Sequence, residues 1–171
     1  MLTFFNTKPV LKLGCISGLL LVLNELMIYA STNENPFIGE RTSNFAIIGL
    51  IIPVVAVVLG ILILKKQNQI NSFASILKPG VMIGFITGLI YIAYFLLFTY
   101  SIEPDTLEKF EIINKKRLIA SGQIINSEDL KNAVQLSKNA FLPSTILFSL
   151  AINMFIGFIT SIVTAIFVRN K

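Results

Sequence analysis

Apolar residues along the chain fall into four long runs separated by more polar segments. The runs cover residues 9–29, 44–64, 79–100 and 143–168. Each is long enough for an α-helix to cross the hydrocarbon core of a membrane, which takes roughly 20 residues. Three runs have a proline near the start, where a helix does not need the missing N–H group: Pro9, Pro79 and Pro143. The pattern therefore predicts an all-α protein with four transmembrane helices.

The segment between runs two and three, residues 65–78, is short and amphipathic. Its apolar residues have helical spacing within QINSFASILK, and the segment contains three lysines but no acidic residue. This pattern is typical of a short helix in the membrane interface, with its lysines at anionic headgroups. We therefore predict an interfacial strap over residues 65–78; a site for a cytoplasmic partner is the alternative.

The segment between runs three and four, residues 101–141, is long enough to contain helices of its own. A first helix is predicted over residues 105–121, where apolar residues recur at helical spacing. Gly122 is placed to end this helix. Within it Glu111 and Lys115 stand four apart, in the favourable order for an ion pair.

A second short helix is predicted to begin at Asn126 or Ser127, because both are good N-cap residues and acidic residues follow in the first turn. Its apolar face continues to Phe141. Together the two helices predict an extracytoplasmic helical hairpin between spans three and four. The hairpin either covers the ends of the transmembrane helices or forms a docking surface for a partner protein.

The orientation follows from lysine and arginine, which are enriched on the cytoplasmic side of membrane proteins. Lys8 and Lys12 lie at the start of run one, the strap contains three lysines, and Arg169 and Lys171 follow run four. We therefore predict that both termini are cytoplasmic, with residues 101–141 outside. A cleaved signal peptide is the alternative interpretation of the first run.

Composition supports the assignment to a membrane and argues against several classes of function. The chain has 54% hydrophobic and 13% charged residues, whereas soluble domains have about 25% charged residues. The net charge of +5 comes from basic residues scattered at the ends of apolar runs, so we expect no nucleic-acid partner. The sequence has no histidine, the single cysteine Cys15, no paired carboxylates within the runs and no glycine-rich phosphate loop. It therefore predicts no metal site, no cofactor and no enzyme activity.

Small residues lie at intervals of three and four within all four runs. Such spacing lets helix backbones approach closely in a membrane and predicts a compact four-helix bundle. Part of this close packing would lie at an interface between two copies if the protein is a homo-oligomer. The predicted packing residues are Gly14, Gly18, Gly49, Pro53, Gly60, Gly80, Gly84, Gly88 and Gly157.

A few polar residues interrupt the runs. Glu25 is the one acidic residue within any run, and it lies about 6 Å from the Tyr29 end of the first helix. The other members of the candidate polar site are Asn24, Tyr91, Tyr94 and Asn153. This site is either a proton or cation site or a set of structural hydrogen bonds between helices.

The order of these motifs resembles a bacterial family of membrane proteins of unknown function, DUF4199. The resemblance covers residues 8–171 and is carried by Phe73, Lys78 and Gly80, by Pro104, Asp105, Leu107, Glu108 and Lys109, and by Gly157 with the basic tail. It implies a four-span inner-membrane protein and supplies no catalytic residue. The acidic residue in the first run also resembles that of small multidrug exporters, although those proteins lack a long outer loop.

Two functions of different classes follow from the sequence. The first is a non-enzymatic membrane subunit that binds a membrane or periplasmic partner, or a second copy of itself, in the lipid bilayer. The alternative is a small proton-coupled transporter that uses Glu25. A polar cavity that reaches Glu25 would favour the transporter, whereas a Glu25 packed against a neighbouring helix would favour the subunit.

Overall fold

The computed structural model describes residues 8–38, 45–70, 72–122 and 126–169. The predicted start of run two at residue 44 and the predicted connection at residues 123–125 lie outside these residues. Five α-helices follow one another along the chain: α1 (Lys8–Thr32), α2 (Phe45–Lys66), α3 (Phe73–Leu97), α4 (Thr106–Ala120) and α5 (Ser127–Arg169). A π-helical turn, Phe98–Ile102, extends α3. The predicted all-α fold is confirmed.

Four of these helices, α1, α2, α3 and α5, are long and apolar enough to cross a membrane. Large apolar side chains cover their outer surfaces, including Leu19, Leu23, Leu50, Phe155 and Phe167, each more than half exposed. In water this surface would oppose solubility, whereas lipid tails solvate it without cost. The protein is therefore a multi-pass membrane protein.

Helices α2 and α3 join the long helices together, since α3 contacts α1, α2 and α5, and α2 contacts α1, α3 and α5. At one end of the molecule, an aliphatic cluster joins Val10 of α1, Leu64 of α2, Ile76 of α3 and Ala165 of α5. Lysines lie at this end, so we call it the basic end; its lysines are Lys8, Lys12, Lys65, Lys66 and Lys78. The ammonium group of Lys65 donates a hydrogen bond to the carbonyl of Val168 and so caps the last turn of α5.

Aromatic side chains fill the other end, which we call the aromatic end. Phe98 is completely buried and contacts Tyr29 edge to face, with ring centroids 5.0 Å apart. Phe95 is also completely buried and contacts Phe141 of α5 at 5.9 Å. The two ends are therefore packed by different chemistry, aliphatic at one and aromatic at the other.

Glycines of α3 bring its backbone against the backbone of α5. A Cβ atom on Gly84 would collide with the carbonyl oxygen of Asn153, and one on Gly157 would collide with the carbonyl oxygen of Gly80. At Gly88 a Cβ atom would lie 3.2 Å from the side chain of Leu150, which is a tight contact. The three α3 glycines therefore form one strip along which α5 lies.

The remaining predicted packing residues lie between α1, α2 and α3. On α1, Gly14 and Gly18 face the side chains of Ile86 and Ile90; a Cβ atom on either glycine would come within 2.7 Å of the isoleucine Cβ. On α2, Gly60 faces Ile83, Gly49 faces Asn24, and Pro53 is buried. Large side chains of α3 thus occupy the space beside Gly14, Gly18 and Gly60, whereas Gly49 faces α1.

The prediction of a separate interfacial strap over residues 65–78 is wrong. Helix α2 ends at Lys66, and the second half of the predicted strap is the first part of α3. Ser72 starts α3 with a capping box, in which its hydroxyl accepts from the Ser75 amide at 3.2 Å and the Ser75 hydroxyl accepts from the Ser72 amide at 2.9 Å. Pro79 is the seventh residue of α3 and removes the hydrogen bond to the Ser75 carbonyl, yet the helix continues through it.

The prediction that the second helix of the outer hairpin is separate from span four is also wrong. Helix α5 runs without a break from Ser127 through Pro143 to Arg169. Pro143 removes the hydrogen bond to the carbonyl of Asn139, an exposed residue, so the lost bond is tolerated there. As predicted, α4 ends at a glycine: Gly122 has a φ of +65°.

Helix α4 packs along the first part of α5. The rings of Phe110 and Phe141 lie 4.3 Å apart between their centroids. Glu111 accepts a hydrogen bond of 2.7 Å from the ammonium group of Lys138, and this ion pair raises the pKa of Lys138. Glu111 thus pairs with a residue of α5 rather than with Lys115, its predicted partner.

Candidate functional site

Glu25 lies on the inner face of α1 and is 3% exposed. The phenol hydroxyl of Tyr91, on α3, donates a hydrogen bond of 3.3 Å to its carboxylate. The ionised form of a carboxylate is unfavourable in this position, because little water reaches it. A proton, a cation or a hydrogen-bond donor at this position compensates part of that cost.

A cleft of about 650 Å³ reaches Glu25 from the surface of the molecule. Its walls come from α1, α2, α3 and α5 and from the segment after α1. Among the described residues, the lining is Leu21, Glu25, Pro36, Phe37, Gly49, Leu50, Tyr91, Ser144, Thr145, Phe148, Ser149, Ile152, Asn153 and Ile156. The cleft thus has mainly apolar walls, several hydroxyl groups on α5 and one carboxylate.

Three of the five predicted polar residues meet in this cleft: Glu25, Tyr91 and Asn153. They come from three helices, and the close approach of α3 and α5 at Gly84 places Asn153 near the other two. The side-chain amide of Asn153 donates a hydrogen bond of 2.8 Å to the carbonyl of Ser149, one turn earlier in α5. The side-chain carbonyl oxygen of Asn153 is the atom that can accept a hydrogen bond from a ligand.

The other two predicted residues, Asn24 and Tyr94, lie outside the lining of the cleft. Asn24 is 7% exposed and faces Gly49 of α2. Tyr94 is 4% exposed, and its ring packs against Phe37 and Phe98 with centroids 5.7 Å from each. Asn24 and Tyr94 therefore pack beside residues that line the cleft and are not part of its lining.

Further polar residues of α5 continue from the cleft towards the basic end. Ser161 donates a hydrogen bond of 2.7 Å to the carbonyl of Gly157, and Thr164 donates one of 2.7 Å to the carbonyl of Thr160. Each hydroxyl bonds to the carbonyl one turn before it, which satisfies the donor within the helix. Below the cleft, α5 therefore carries buried polar groups that bond locally.

The sequence analysis missed the segment that follows α1, residues 33–38. Its residue Phe37 inserts among aromatic rings of α3, with centroids 4.7 Å from Phe95, 5.5 Å from Phe98 and 5.9 Å from Tyr91. Both Pro36 and Phe37 line the cleft. The signal in the sequence is the apolar triplet Pro-Phe-Ile within an otherwise polar stretch, NENPFIGE.

Asn35 fixes this segment to the junction between α3 and α4. Its side-chain amide donates to the carboxylate of Glu103 at 2.9 Å and to the hydroxyl of Thr106 at 3.0 Å, while its carbonyl oxygen accepts from the Phe37 amide at 2.9 Å. Thr106 also donates to the Glu103 carbonyl at 2.6 Å. We call these three residues, Asn35, Glu103 and Thr106, the latch. The latch holds one wall of the cleft in place.

Lys109 of α4 provides a positive charge beside Glu103, the acidic residue of the latch. Its ammonium group pairs with the carboxylate of Glu103 and with Asp105 at 3.0 Å. These two acidic partners raise the pKa of Lys109 well above its ordinary value. The buried carboxylate of Glu103, 7% exposed, therefore has a cation beside it at the edge of the protein.

The chemistry available in the cleft is that of one carboxylate with a phenol, hydroxyls and an amide. Within residues 8–38, 45–70, 72–122 and 126–169 there is no group of three His, Cys, Asp or Glu residues that would hold a metal ion. A single carboxylate in an apolar cleft is suited to exchange a proton for another positive charge.

Comparison with known families identifies a match over nearly the whole chain. Residues 12–170 match the family described as "Protein of unknown function (DUF4199)". Comparisons with curated proteins and with solved structures gave no match. The matched region includes α1 from Lys12 onwards, the other three long helices, α4 and the cleft. The chain therefore belongs to the DUF4199 family.

Proposed function

We propose that this protein is a small proton-coupled transporter whose binding site is the cleft at Glu25. The observation that carries the proposal is the cleft itself, since it brings Glu25, Tyr91 and Asn153 to one surface. The sequence favours an assembly subunit as the first hypothesis, and a cavity that reaches Glu25 favours the second. Glu25 is the group that binds the proton, Tyr91 orients its carboxylate, and Asn153 contributes to ligand binding.

The proposed location is the bacterial inner membrane, with both termini in the cytoplasm. Support comes from the basic end, where α1, α2 and α3 bring five lysines together. Helix α4 and the first part of α5 then lie outside, and the cleft occupies the outer half of the membrane. In this orientation the latch faces the external solution.

The first experiment asks whether Glu25 binds a proton. The purified protein is titrated in lipid nanodiscs, and the carbonyl band of protonated carboxylic acids is followed by infrared difference spectroscopy. We expect Glu25→Gln to remove one titrating band, while the control Glu128→Gln, at an exposed position in the first turn of α5, leaves that band in place. A titration that is the same in both variants would contradict the proposal.

The second experiment asks whether the cleft opens to both sides, as transport requires. Ser149→Cys is introduced in a Cys15→Ala background, and labelling by a membrane-impermeant thiol reagent is compared in right-side-out and inside-out vesicles. We expect labelling from both sides, because a transporter exposes its site to each side in turn. Labelling from one side only would contradict transport. It would indicate a protein that binds its ligand without carrying it across the membrane.

A second candidate function is the non-enzymatic subunit that binds a partner, and one observation favours it. Outside the proposed membrane region, Ile112 and Ile119 of α4 are each 56% exposed, and Leu136 of α5 is 72% exposed. A triple serine variant at these positions should fold normally and lose the partner, or dissociate if the partner is a second copy. Native mass spectrometry of the purified protein decides this, since an unchanged assembly contradicts the candidate.

A further inference from the structure

Helices α1 and α3 form a groove on their lipid-facing side at the basic end. Lysines line its mouth, Lys8, Lys12 and Lys78, and apolar side chains of both helices line the part that extends into the membrane. We propose that this groove, which we call the lysine groove, binds one anionic phospholipid, with the headgroup phosphate at Lys8 and Lys12. The groove lies at the opposite end of the membrane helices from the cleft, so the inference goes beyond the proposed function and does not depend on it.

The register of α1 against α3 places the lysines at one level. Glycines of α1 face isoleucines of α3 in the same order along both helices, Gly14 against Ile86 and Gly18 against Ile90. The two helices therefore run in the same direction. Continued towards the starts of both helices, this register places Lys8 within about 3 Å of the level of Lys78, at a rise of about 1.5 Å per residue.

The three lysines also lie on one side of the pair formed by α1 and α3. A helix turns by about 100° per residue, so Lys8 and Lys12 lie about 100–140° around α1 from the glycines that face α3. Lys78 lies about 100° around α3 from the isoleucines that face α1. Helix α2 occupies the opposite side, where Asn24 of α1 and Ile83 of α3 face its glycines. The lysines therefore point away from α2 towards lipid, and all three are exposed.

Apolar side chains continue the groove from the lysines into the membrane. By the same helical geometry, the side of the lysines also holds Leu11 and Cys15 of α1 and Met82 and Leu89 of α3. Leu11 is 50% exposed and Leu89 is 46% exposed, while Cys15 and Met82 are half-buried. The long stem of Lys12 lets its ammonium group reach the level of the headgroups from within the apolar run. Acyl chains of a lipid whose phosphate lies at the lysines therefore pack along these apolar side chains.

Among the described residues, no acidic side chain lies at the basic end. The described acidic residues lie in the half of the molecule that contains the aromatic end, or beyond it: Glu25, Glu34, Glu103, Asp105, Glu108, Glu111, Glu128 and Asp129. Outside the described residues the sequence has a single acidic residue, Glu40, which follows Ile38 by two positions. Two residues span about 7 Å at most, whereas α2 is about 33 Å long, so Glu40 cannot reach the basic end. The lysine groove therefore receives no counter-charge from an acidic side chain.

An anionic phospholipid supplies both the charge and the apolar surface that the groove lacks. The lysines lie where the apolar runs end, and in the proposed orientation they meet the cytoplasmic leaflet, which contains anionic lipids. Each lysine beside such a surface strengthens binding by about fivefold. A zwitterionic headgroup carries a positive charge besides its phosphate, so the lysines favour the anionic lipid. Lys78 has a further interaction within the protein, so Lys8 and Lys12 are the principal contacts of the phosphate.

The test uses tryptophan fluorescence, since the chain has no tryptophan of its own. Leu11→Trp places a reporter in the lysine groove. The control Leu62→Trp lies at nearly the same depth, because Leu13 of α1 meets Gly60 of the antiparallel helix α2, and Leu62 is 46% exposed. Each full-length protein is reconstituted in phosphatidylcholine vesicles with increasing fractions of phosphatidylglycerol whose brominated chains quench a nearby tryptophan. Brominated phosphatidylcholine is the reference lipid.

We expect a preference for the anionic lipid at the groove alone. At Leu11→Trp, phosphatidylglycerol should bind at least about fivefold more tightly than phosphatidylcholine, whereas the two lipids should quench Leu62→Trp equally. In the Leu11→Trp background, Lys12→Gln should lower the preference about fivefold. Lys66→Gln is the matched loss of charge on α2, on the opposite side from the groove. It should change the preference less than about twofold, because salt screens charges beyond about 8 Å.

Equal binding of the two lipids at Leu11→Trp would overturn the proposal. Equal preference at both tryptophans, or equal losses in Lys12→Gln and Lys66→Gln, would also overturn it, because the lysines would then attract anionic lipid without a defined site. A final arm replaces sodium chloride by sodium phosphate at the same ionic strength. The preference should be unchanged, and its loss in phosphate would show a site for free phosphate instead of a lipid.

Discussion

The hydroxyl of Tyr91 on α3 donates a hydrogen bond of 3.3 Å to the carboxylate of Glu25 on α1, 66 residues earlier in the chain. This bond links two helices at the floor of the cleft and places the carboxylate on the surface of the cleft. Hydrogen bonds between membrane helices contribute about 0.6 kcal/mol on average. The bond therefore orients Glu25 more than it stabilises the fold.

From this relationship we predict different effects of two substitutions at Glu25. Glu25→Gln keeps the shape and the acceptor for Tyr91, so its thermal stability in detergent should equal that of the parent, while the proton site is lost. Glu25→Leu removes the acceptor and should lower stability by about 1 kcal/mol. Thermal unfolding measures stability and the infrared titration measures the site; a Glu25→Gln variant that retains the titrating band would contradict the prediction.

The strip of glycines on α3 predicts a large effect of side-chain size. Gly84→Leu should destabilise the protein by at least about 1–3 kcal/mol, because a Cβ atom there collides with the Asn153 carbonyl and the two backbones must separate. Leu89→Phe is the matched control, since Leu89 is 46% exposed and has room for a larger side chain. Thermal unfolding in detergent should therefore separate the two variants, and equal midpoints would contradict the packing.

The latch predicts that Asn35 controls access to the cleft. Asn35→Ala removes the hydrogen bonds to Glu103 and Thr106, each worth about 1 kcal/mol, and should loosen the segment that contains Phe37. We expect faster thiol labelling of Ser149→Cys in the Asn35→Ala background. Ser31→Ala, at an exposed residue that bonds only within α1, is the control and should leave the rate unchanged. Equal rates in all three proteins would show that the latch does not control access.

The ion pair between Glu111 and Lys138 predicts a loss of stability at alkaline pH. It raises the pKa of Lys138 in the folded protein above the ordinary value of 10.5, so its contribution is fully present below pH 10.5 and disappears as the pH rises through the raised pKa. The midpoint of thermal unfolding should therefore fall more steeply above pH 10.5 in the parent than in Glu111→Gln. Parallel curves for the two proteins would contradict this role of the pair.

The orientation is tested by single cysteines in a Cys15→Ala background. Lys66→Cys lies at the basic end, and Ser121→Cys lies at the exposed end of α4. An impermeant thiol reagent added to intact cells, or to spheroplasts where an outer membrane blocks access, should label Ser121→Cys and not Lys66→Cys. The opposite result would reverse the orientation and place the cleft in the inner half of the membrane.

The sequence by itself determined the membrane class and the four long helices. Runs of about 20 apolar residues have few alternatives to a helix in a bilayer, because every backbone polar group must be hydrogen-bonded within the segment. The sequence also predicted that α4 ends at Gly122. The backbone needs a positive φ there, and glycine has no side chain to oppose it.

Local signals failed where tertiary contacts compete with them. Pro79 and Pro143 favour helix starts, yet α3 and α5 continue through both, since packing along the whole helix outweighs one lost hydrogen bond. Lys115 stands at the correct spacing for Glu111 on the same helix, yet Glu111 pairs with Lys138 because α5 lies beside it. Spacing along one helix does not show which neighbouring helix lies nearer.

The composition of the site was visible in the sequence, and its shape was not. Glu25, Tyr91 and Asn153 were candidates because polar groups are costly within apolar runs, a property of each residue alone. That these three line one cleft while Asn24 and Tyr94 do not depends on the rotation of four helices about their axes. The contribution of Phe37 depends on Asn35 reaching Glu103 across 68 residues. Only tertiary structure decides such relationships, because they arise from contacts between segments that are distant along the chain.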